Sequence, residues 1–298
     1  MWARYRRIRT LIYSVSLVAL LVALSAAGCG RRTASPSGTP TAQVTPTATR
    51  MPTATAIPTA LPTPKPTPKP TPKPTPTSPP SGICIPAQGI QSVSSAVIRT
   101  GATSRREVSL TFDSDGGSAG NAALYLDILR EFGIHTTWFL TGDFSRTNPA
   151  LVQRIHDDGH DIGNHTLGHP NLISPVRSDS VVCSELTQAD RIISGITGQT
   201  TRPYFRPPFG AYNDQTRALA ARLGYRTITW SIDPQDWSTT TTAQDIENRV
   251  LNSPSLKPGA IILMHVNSPH EAEALETVIL GLEQQGYAIV PLSRLLGS

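Results

Sequence analysis

A run of about fifty residues, 31–82, made mostly of Thr, Pro, Ala and Ser, sets the limits within which this chain can fold. It carries a KPTP repeat from Lys65 to Pro76, and fifteen of the chain's 27 prolines fall at or before residue 82. Such a segment has too little apolar surface to offset the entropy of ordering it, so it is expected to be extended and solvated, with polyproline-II character. At about 3 Å per residue it reaches up to roughly 150 Å. A core must therefore be built from 83–298, about 215 residues, which is enough for one sizeable domain.

The charge divides at the same place. Residues 1–82 hold ten Lys or Arg and no Asp or Glu, which leaves 16 basic against 21 acidic residues in 83–298. The overall +5 thus belongs to the tail, and a mildly acidic folded part excludes nucleic-acid binding by bulk charge. Arg4, Arg6, Arg7 and Arg9 precede an uncharged run from Thr10 to Gly30 with its apolar heart at Leu17–Leu24. That is the pattern of an export signal. Ser25, Ala26, Ala27 and Gly28 lead into Cys29, which resembles a bacterial lipoprotein cleavage site, although Ala26 stands where such sites usually carry Leu. In that reading Cys29 becomes the lipid-modified first residue. The alternative is an uncleaved anchor, since about 20 residues just span a bilayer. The expected plan is a signal over 1–30, a linker over 31–82 and a folded domain over 83–298. In both readings the domain is exported and tethered at the outer face of the bacterial cytoplasmic membrane or in the wall. In an oxidising compartment Cys84 and Cys183 form a candidate disulfide, with two free buried thiols as the alternative.

Within 83–298, strand-like and helix-like patterns alternate. Strands are expected at 107–113, 135–141, 160–164, 203–206, 225–232, 259–265 and 287–291. Helices are expected at 119–132, from Asn148-Pro149 to Asp158, and at 179–197, 214–223, 243–252 and 270–285, with a short one at the end. Seven or so β-α repeats imply a parallel sheet, and count and length suit an irregular (β/α) barrel better than a doubly wound sheet. The polar clusters follow the C-terminal ends of the strands: Asp113 and Asp115, then His165 and His169, Arg206, Asp236 with Trp237, and His265. That is the face on which α/β barrels assemble sites.

The residue types at that rim have a coherent chemistry. His165 and His169, four apart on a helical turn, share a face and suit one divalent metal such as Zn²⁺, with a carboxylate completing the set. Asp113 is available to take a proton from a water, and His265 to protonate a poor leaving group. Asp236 is suited to hold that imidazole in one tautomer and raise its pKa, and Arg206 to pair with Asp113. Trp237 and Leu263 are apolar neighbours of the acid, suited to a small methyl pocket. His160 reads as structural.

Five motifs in this order, LTFDSDGG (110–117), HTLGH (165–169), FRPPFGAY (205–212), DPQDW (233–237) and ILMH (262–265), make 106–292 resemble the polysaccharide deacetylases, the carbohydrate esterases of family four. The resemblance implies a distorted (β/α) barrel of about seven strands that binds one divalent metal, usually zinc. It implies hydrolysis of N-acetyl groups, or less often O-acetyl groups, on a polysaccharide, with release of acetate. By motif, Asp113 resembles the base, His265 the acid, His165 and His169 the metal histidines, Arg206 the residue holding the base and Asp236 the carboxylate tuning the acid. Phe209 resembles the residue whose backbone N–H helps hold the oxyanion, and Trp237 and Leu263 the acetyl-methyl pocket. The opening motif departs from the family, which usually has two adjacent Asp. Here Ser114 intervenes, so either Asp115 reaches the metal across an extra residue or it points elsewhere; the expectation is that Asp115 is a ligand. Peptidoglycan is the expected polymer, with chitin, exopolysaccharide or acetyl-xylan as alternatives. A catalytically silent glycan-binding domain is the rival from another class.

Overall fold

The computed structural model describes residues 89–297. The expected export signal and linker, with Cys29 and Cys84, lie outside them. Cys183 is disulfide-bonded, and its partner is outside the described residues. No helix among the described residues is long and apolar enough to cross a membrane.

Among the described residues, eight parallel strands build the domain: β1 (Val97–Ile98), β2 (Glu107–Asp113), β3 (Thr137–Leu140), β4 (Asp161–Asn164), β5 (Tyr204–Phe205), β6 (Arg226–Ile228), β7 (Ile261–His265) and β8 (Ala288–Ile289). Their order is β1-β6-β5-β4-β3-β2-β7, with β8 paired to β2. The pattern 225–232 is not one strand. The ladder ends at Ile228, and the chain then swings so that Ile232 bridges Ile262 of β7 in parallel. That contact curls the sheet into a distorted barrel. The helices are α1 (Ala122–Phe132), α2 (Gly142–Thr147), α3 (Pro149–Asp157), α4 (Asp179–Thr197), α5 (Asp214–Arg222), α6 (Ala243–Leu251), α7 (Glu271–Gln284) and α8 (Leu292–Leu296).

The two faces of β2 explain where the core and the site lie. Alternation sends Val108, Leu110 and Phe112 outward into a cluster with Tyr125, Leu126 and Leu129 of α1 and Val278 and Ile279 of α7. Ser109, Thr111 and Asp113 therefore face the barrel interior. Helix ends follow local chemistry. Thr141 caps α2 by accepting from the Phe144 N–H, and capping boxes open α5 (Asn213 with Thr216) and α6 (Thr242 with Asp245). Helix α2 was not legible in the sequence: its six residues are too few for a periodic signal. Asn148 precedes α3 as expected, but its side chain does not cap it; it donates instead to the carbonyls of Gly117 and Phe144.

Candidate active site

Every expected site residue comes to the C-terminal rim of the barrel. Asp113 ends β2, in register with His265 at the end of β7 and with Phe139 of β3. His165 follows β4, Arg206 follows β5, and Asp236 lies in the loop that leaves the Ile232 bridge. Asp113, Asp115, His165, His169, Phe209, Trp230, Asp233, Trp237, Leu263 and His265 line one cleft of about 420 Å³. A smaller hollow at the other end of the strands, about 220 Å³, includes Asp161 and Arg202. These groups are already paired, Asp161 with Ser293 and Arg202 with Asp190, and gather no reactive set.

Arg206 is the largest polar side chain in the interior and has no solvent exposure. Its Nη1 donates to Asp113 Oδ1 at 2.7 Å and to Thr111 Oγ1 at 2.9 Å, and Nη2 donates to the Thr229 carbonyl at 3.3 Å. The guanidinium stacks over Phe139, 4.1 Å from the ring centroid. Burial lowers its pKa, and the Asp113 charge and hydrogen bond oppose that shift. Phe139 is held in place by Gly163, where a Cβ would come within 2.6 Å of the ring. The sequence offered no sign of Thr111, Phe139 or Gly163 as supports, because each acts through a partner far along the chain.

The histidines are not on a helical turn. Thr166 and His169 have φ of 70° and 59°, so the chain folds back through left-handed positions. Asn164 Oδ1 accepts from the Thr166 N–H at 2.9 Å and Thr166 Oγ1 from the His169 N–H at 3.1 Å, which hold this turn. The rings still converge, with centroids 4.9 Å apart. His165 Nδ1 lies 2.7 Å from the Arg206 carbonyl, an acceptor only, so Nδ1 carries the proton and Nε2 presents a lone pair to the cleft. Burial pushes the pKa of His165 well down, with the neighbouring His169 adding to it. Burial also lowers His169, against the opposing pull of Asp115 and Asp113. Both rings are thus held neutral, as ligands must be.

Asp115 joins them. One ligand atom each from Asp115, His165 and His169 lies within 4.8 Å of the others, and Asp115 Oδ1 is buried without a hydrogen-bond partner, 3.4 Å from His169 Nε2. An orphaned carboxylate oxygen facing two imidazole lone pairs fits a divalent cation. The extra residue, Ser114, is taken out of the way. Its side chain is fully buried, and its Oγ accepts from the Thr141 N–H at 2.9 Å. The loop is stitched to the N-terminus of α2, and Asp115 is carried to the rim.

Across the cleft, Asp236 grips His265 twice. Asp236 Oδ1 is 2.8 Å from His265 Nδ1, and Oδ2 accepts from the His265 backbone N–H at 2.7 Å. Burial works against charge on the imidazole. The hydrogen bond to Asp236 and the charges of Asp236, Asp113 and Asp115 outweigh it, raising His265 to about 9. Behind this pair lies Glu271, fully buried, with neither carboxyl oxygen hydrogen-bonded in the protein. Burial, and then the Asp236 charge, hold its pKa well up, so it is a neutral acid. Nothing in the sequence marks it, since a Glu at the first position of a helix usually faces water.

Residues 100–228 match the sequence profile described as polysaccharide deacetylase. The chain is 33% identical over 196 residues to the peptidoglycan-N-acetylmuramic acid deacetylase PdaA of Bacillus subtilis, covering 66% of this chain and 73% of that one. The chain belongs to the polysaccharide deacetylase family. As a member it is a hydrolase of carbon–nitrogen bonds. It is also 32% identical to a chitooligosaccharide deacetylase of Azorhizobium caulinodans, over 61% of this chain and 91% of that one. Among solved structures, the family 4 carbohydrate esterase PdaA of B. subtilis superposes with a TM-score of 0.60 at 32% identity, covering 67% of this chain and 85% of that one. A family pseudoenzyme of Bacillus anthracis, BA3943, superposes at 0.62 with 30% identity, covering 68% and 69%. Because the family fold also houses a pseudoenzyme, the case for catalysis in this polysaccharide deacetylase rests on its acid, its base and their partners.

Proposed function

We propose that this polysaccharide deacetylase removes the N-acetyl group from N-acetylhexosamine residues of a cell-wall glycan, peptidoglycan first, using a divalent metal such as Zn²⁺. The observation that carries this is the placement of three sets around one cleft: Asp113 with Arg206, His265 with Asp236, and Asp115 with His165 and His169. Asp115, His165 and His169 would hold the metal, which when bound polarises the acetyl carbonyl and acidifies a water. Arg206, itself braced by Thr111, occupies Asp113 Oδ1 and leaves Oδ2 to accept the proton of the attacking water. The backbone N–H of Phe209, a residue of the cleft lining with a φ of 59°, donates to the developing oxyanion. Leu263 and Trp237 enclose the methyl group. His265, charged near neutral pH through its bond to Asp236, gives its Nε2 proton to the departing amine. The amine leaves on the sugar, and acetate leaves as the other product.

The export signal and long Pro/Thr-rich linker support a site of action at the outer face of the membrane or in the wall. The named relatives act on different sugars, and an O-acetylated polymer such as acetyl-xylan is the second reading. Acetate release from peptidoglycan, chitooligosaccharide and acetyl-xylan, before and after metal chelation and reloading, tests both. Release from the N-acetylated polymers, lost on chelation and restored by Zn²⁺, is expected. Release from acetyl-xylan alone overturns the N-deacetylase reading. Polymer binding with no release after loading favours the silent glycan-binding domain.

A further inference from the structure

The rim of the cleft differs in character from its floor. The floor is the buried chemistry, Asp113, His165 and Leu263 being 3%, 1% and 2% exposed. The rim is Phe209 and Trp237, 65% and 56% exposed, with Trp230 and Asp233. Three aromatic rings and one carboxylate thus face any group that stays outside while an acetamide reaches the floor. Among the described residues, no Lys or Arg lines the cleft. The basic groups nearby are already engaged. Arg206 is buried against Asp113, and Arg249 lies under the 233–237 loop, donating to the Pro234 carbonyl and the Thr241 hydroxyl. His265 is matched by Asp236.

Asp233 is fixed as well as exposed. Its Oδ1 accepts from the Gln235 N–H at 2.8 Å, in a loop that Gln235 turns through a φ of 57°. This leaves Oδ2 as an acceptor with no hydrogen-bond partner among the described residues. A pyranose that presents its C2 acetamide to the floor must leave its C3 substituent, on the adjacent carbon, at this rim. A free 3-hydroxyl there has a charged acceptor for its proton, and the apolar face of the ring has indole and phenyl faces to lie against. A 3-O-lactyl group has neither advantage. Its ionised carboxylate would shed water to face Asp233, with no cation to receive it.

Resting on the deacetylase reading above, we infer that the site selects N-acetylglucosamine-type residues with a free 3-hydroxyl over N-acetylmuramic residues, and that Asp233 is the determinant. An unpaired carboxylate at a partly open rim is worth about a tenfold or greater difference in kcat/KM. The test uses the full-length, Zn²⁺-loaded protein on glycan strands stripped of stem peptides, in which both sugars alternate and the lactyl carboxylates are free. After muramidase digestion, mass spectrometry locates the lost acetyl group on one sugar or the other. Loss on the glucosamine residues at about tenfold or greater excess is expected. Asp233→Arg should narrow that ratio about tenfold by raising muramic deacetylation, and Asp233→Asn should narrow it less. Circular dichroism and the thermal-unfolding midpoint report that each variant is folded. Preferential loss from muramic residues in the wild type, or an unchanged ratio in a folded Asp233→Arg, overturns the inference alone. No acetate from either sugar, with metal bound, overturns the deacetylase reading and this inference with it.

Discussion

Replacing Asp236 with Asn separates the electrostatics of the acid from the packing around it. Asp236 accepts two bonds from one residue, the imidazole Nδ1–H and the backbone N–H of His265. Asn has one acceptor and one donor: with its oxygen on the backbone N–H, its amide group bonds Nδ1 only in the neutral tautomer with Nδ1 unprotonated, so a charged ring leaves donor against donor at a cost of about 1–3 kcal/mol. The charge effect depends on pH. Lifting an imidazole from 6.5 to about 9 corresponds to about 3 kcal/mol of preference for the protonated form in the folded protein. Because the folded value is raised, this stabilisation is fully present below 6.5 and is lost as the pH rises through about 9. With the charge of Asp236 gone, burial dominates and the imidazole becomes neutral near pH 7. Urea unfolding of the metal-free protein should therefore show Asp236→Asn less stable than wild type by about 3 kcal/mol more at pH 6 than at pH 10. NMR titration of His265 in the same samples should show its midpoint falling from about 9 to below 6.5. In the wild type, deacetylation should decline above about pH 9, where the acid is lost. A pH-independent stability difference between the two proteins, or a wild-type midpoint near 6.5, would refute the assignment of Asp236 as the group that keeps His265 charged.

Two further perturbations address the other carboxylates. Asp115→Ala should weaken Zn²⁺ binding by more than about 100-fold, beyond the usual cost of losing a residue that only orients a ligand, while Asp113→Ala should cost far less. Calorimetric titrations giving wild-type affinity for Asp115→Ala would reject it as a ligand. Glu271→Gln should flatten the pH dependence of stability. The raised pKa of this buried acid makes folding less favourable by about 1.4 kcal/mol for each pH unit above 4.5, until its folded value is passed, and a neutral amide has no such slope. Equal slopes for the two proteins as the pH rises above 4.5 would show that burial does not hold the Glu271 carboxyl protonated.

The backbone plan and the chemistry were legible along the chain because both depend on local signals. Alternation in 107–113 predicts a strand with one face outward, and a helix with the bounds 179–197 follows from its apolar period. The sequence itself places Asp113, His165, Arg206, Asp236 and His265 after successive strands, and a parallel barrel puts all such positions on one rim. For the Pro/Thr-rich segment, composition alone predicts exclusion from a core. Other features depend on pairs of residues far apart in the chain, and only tertiary structure decided them. Asp115 reaches the histidines because Ser114 turns inward to Thr141, 27 residues away, which spacing alone could not choose over an outward-pointing Asp. The HTLGH turn is left-handed rather than helical, yet its rings converge because His165 is fixed by the Arg206 carbonyl, 41 residues on. Glu271 and Asp233 have ordinary sequence surroundings. One is enclosed behind the acid and the other is set free on the rim by how the barrel closes, because burial and charge environment belong to the assembled fold.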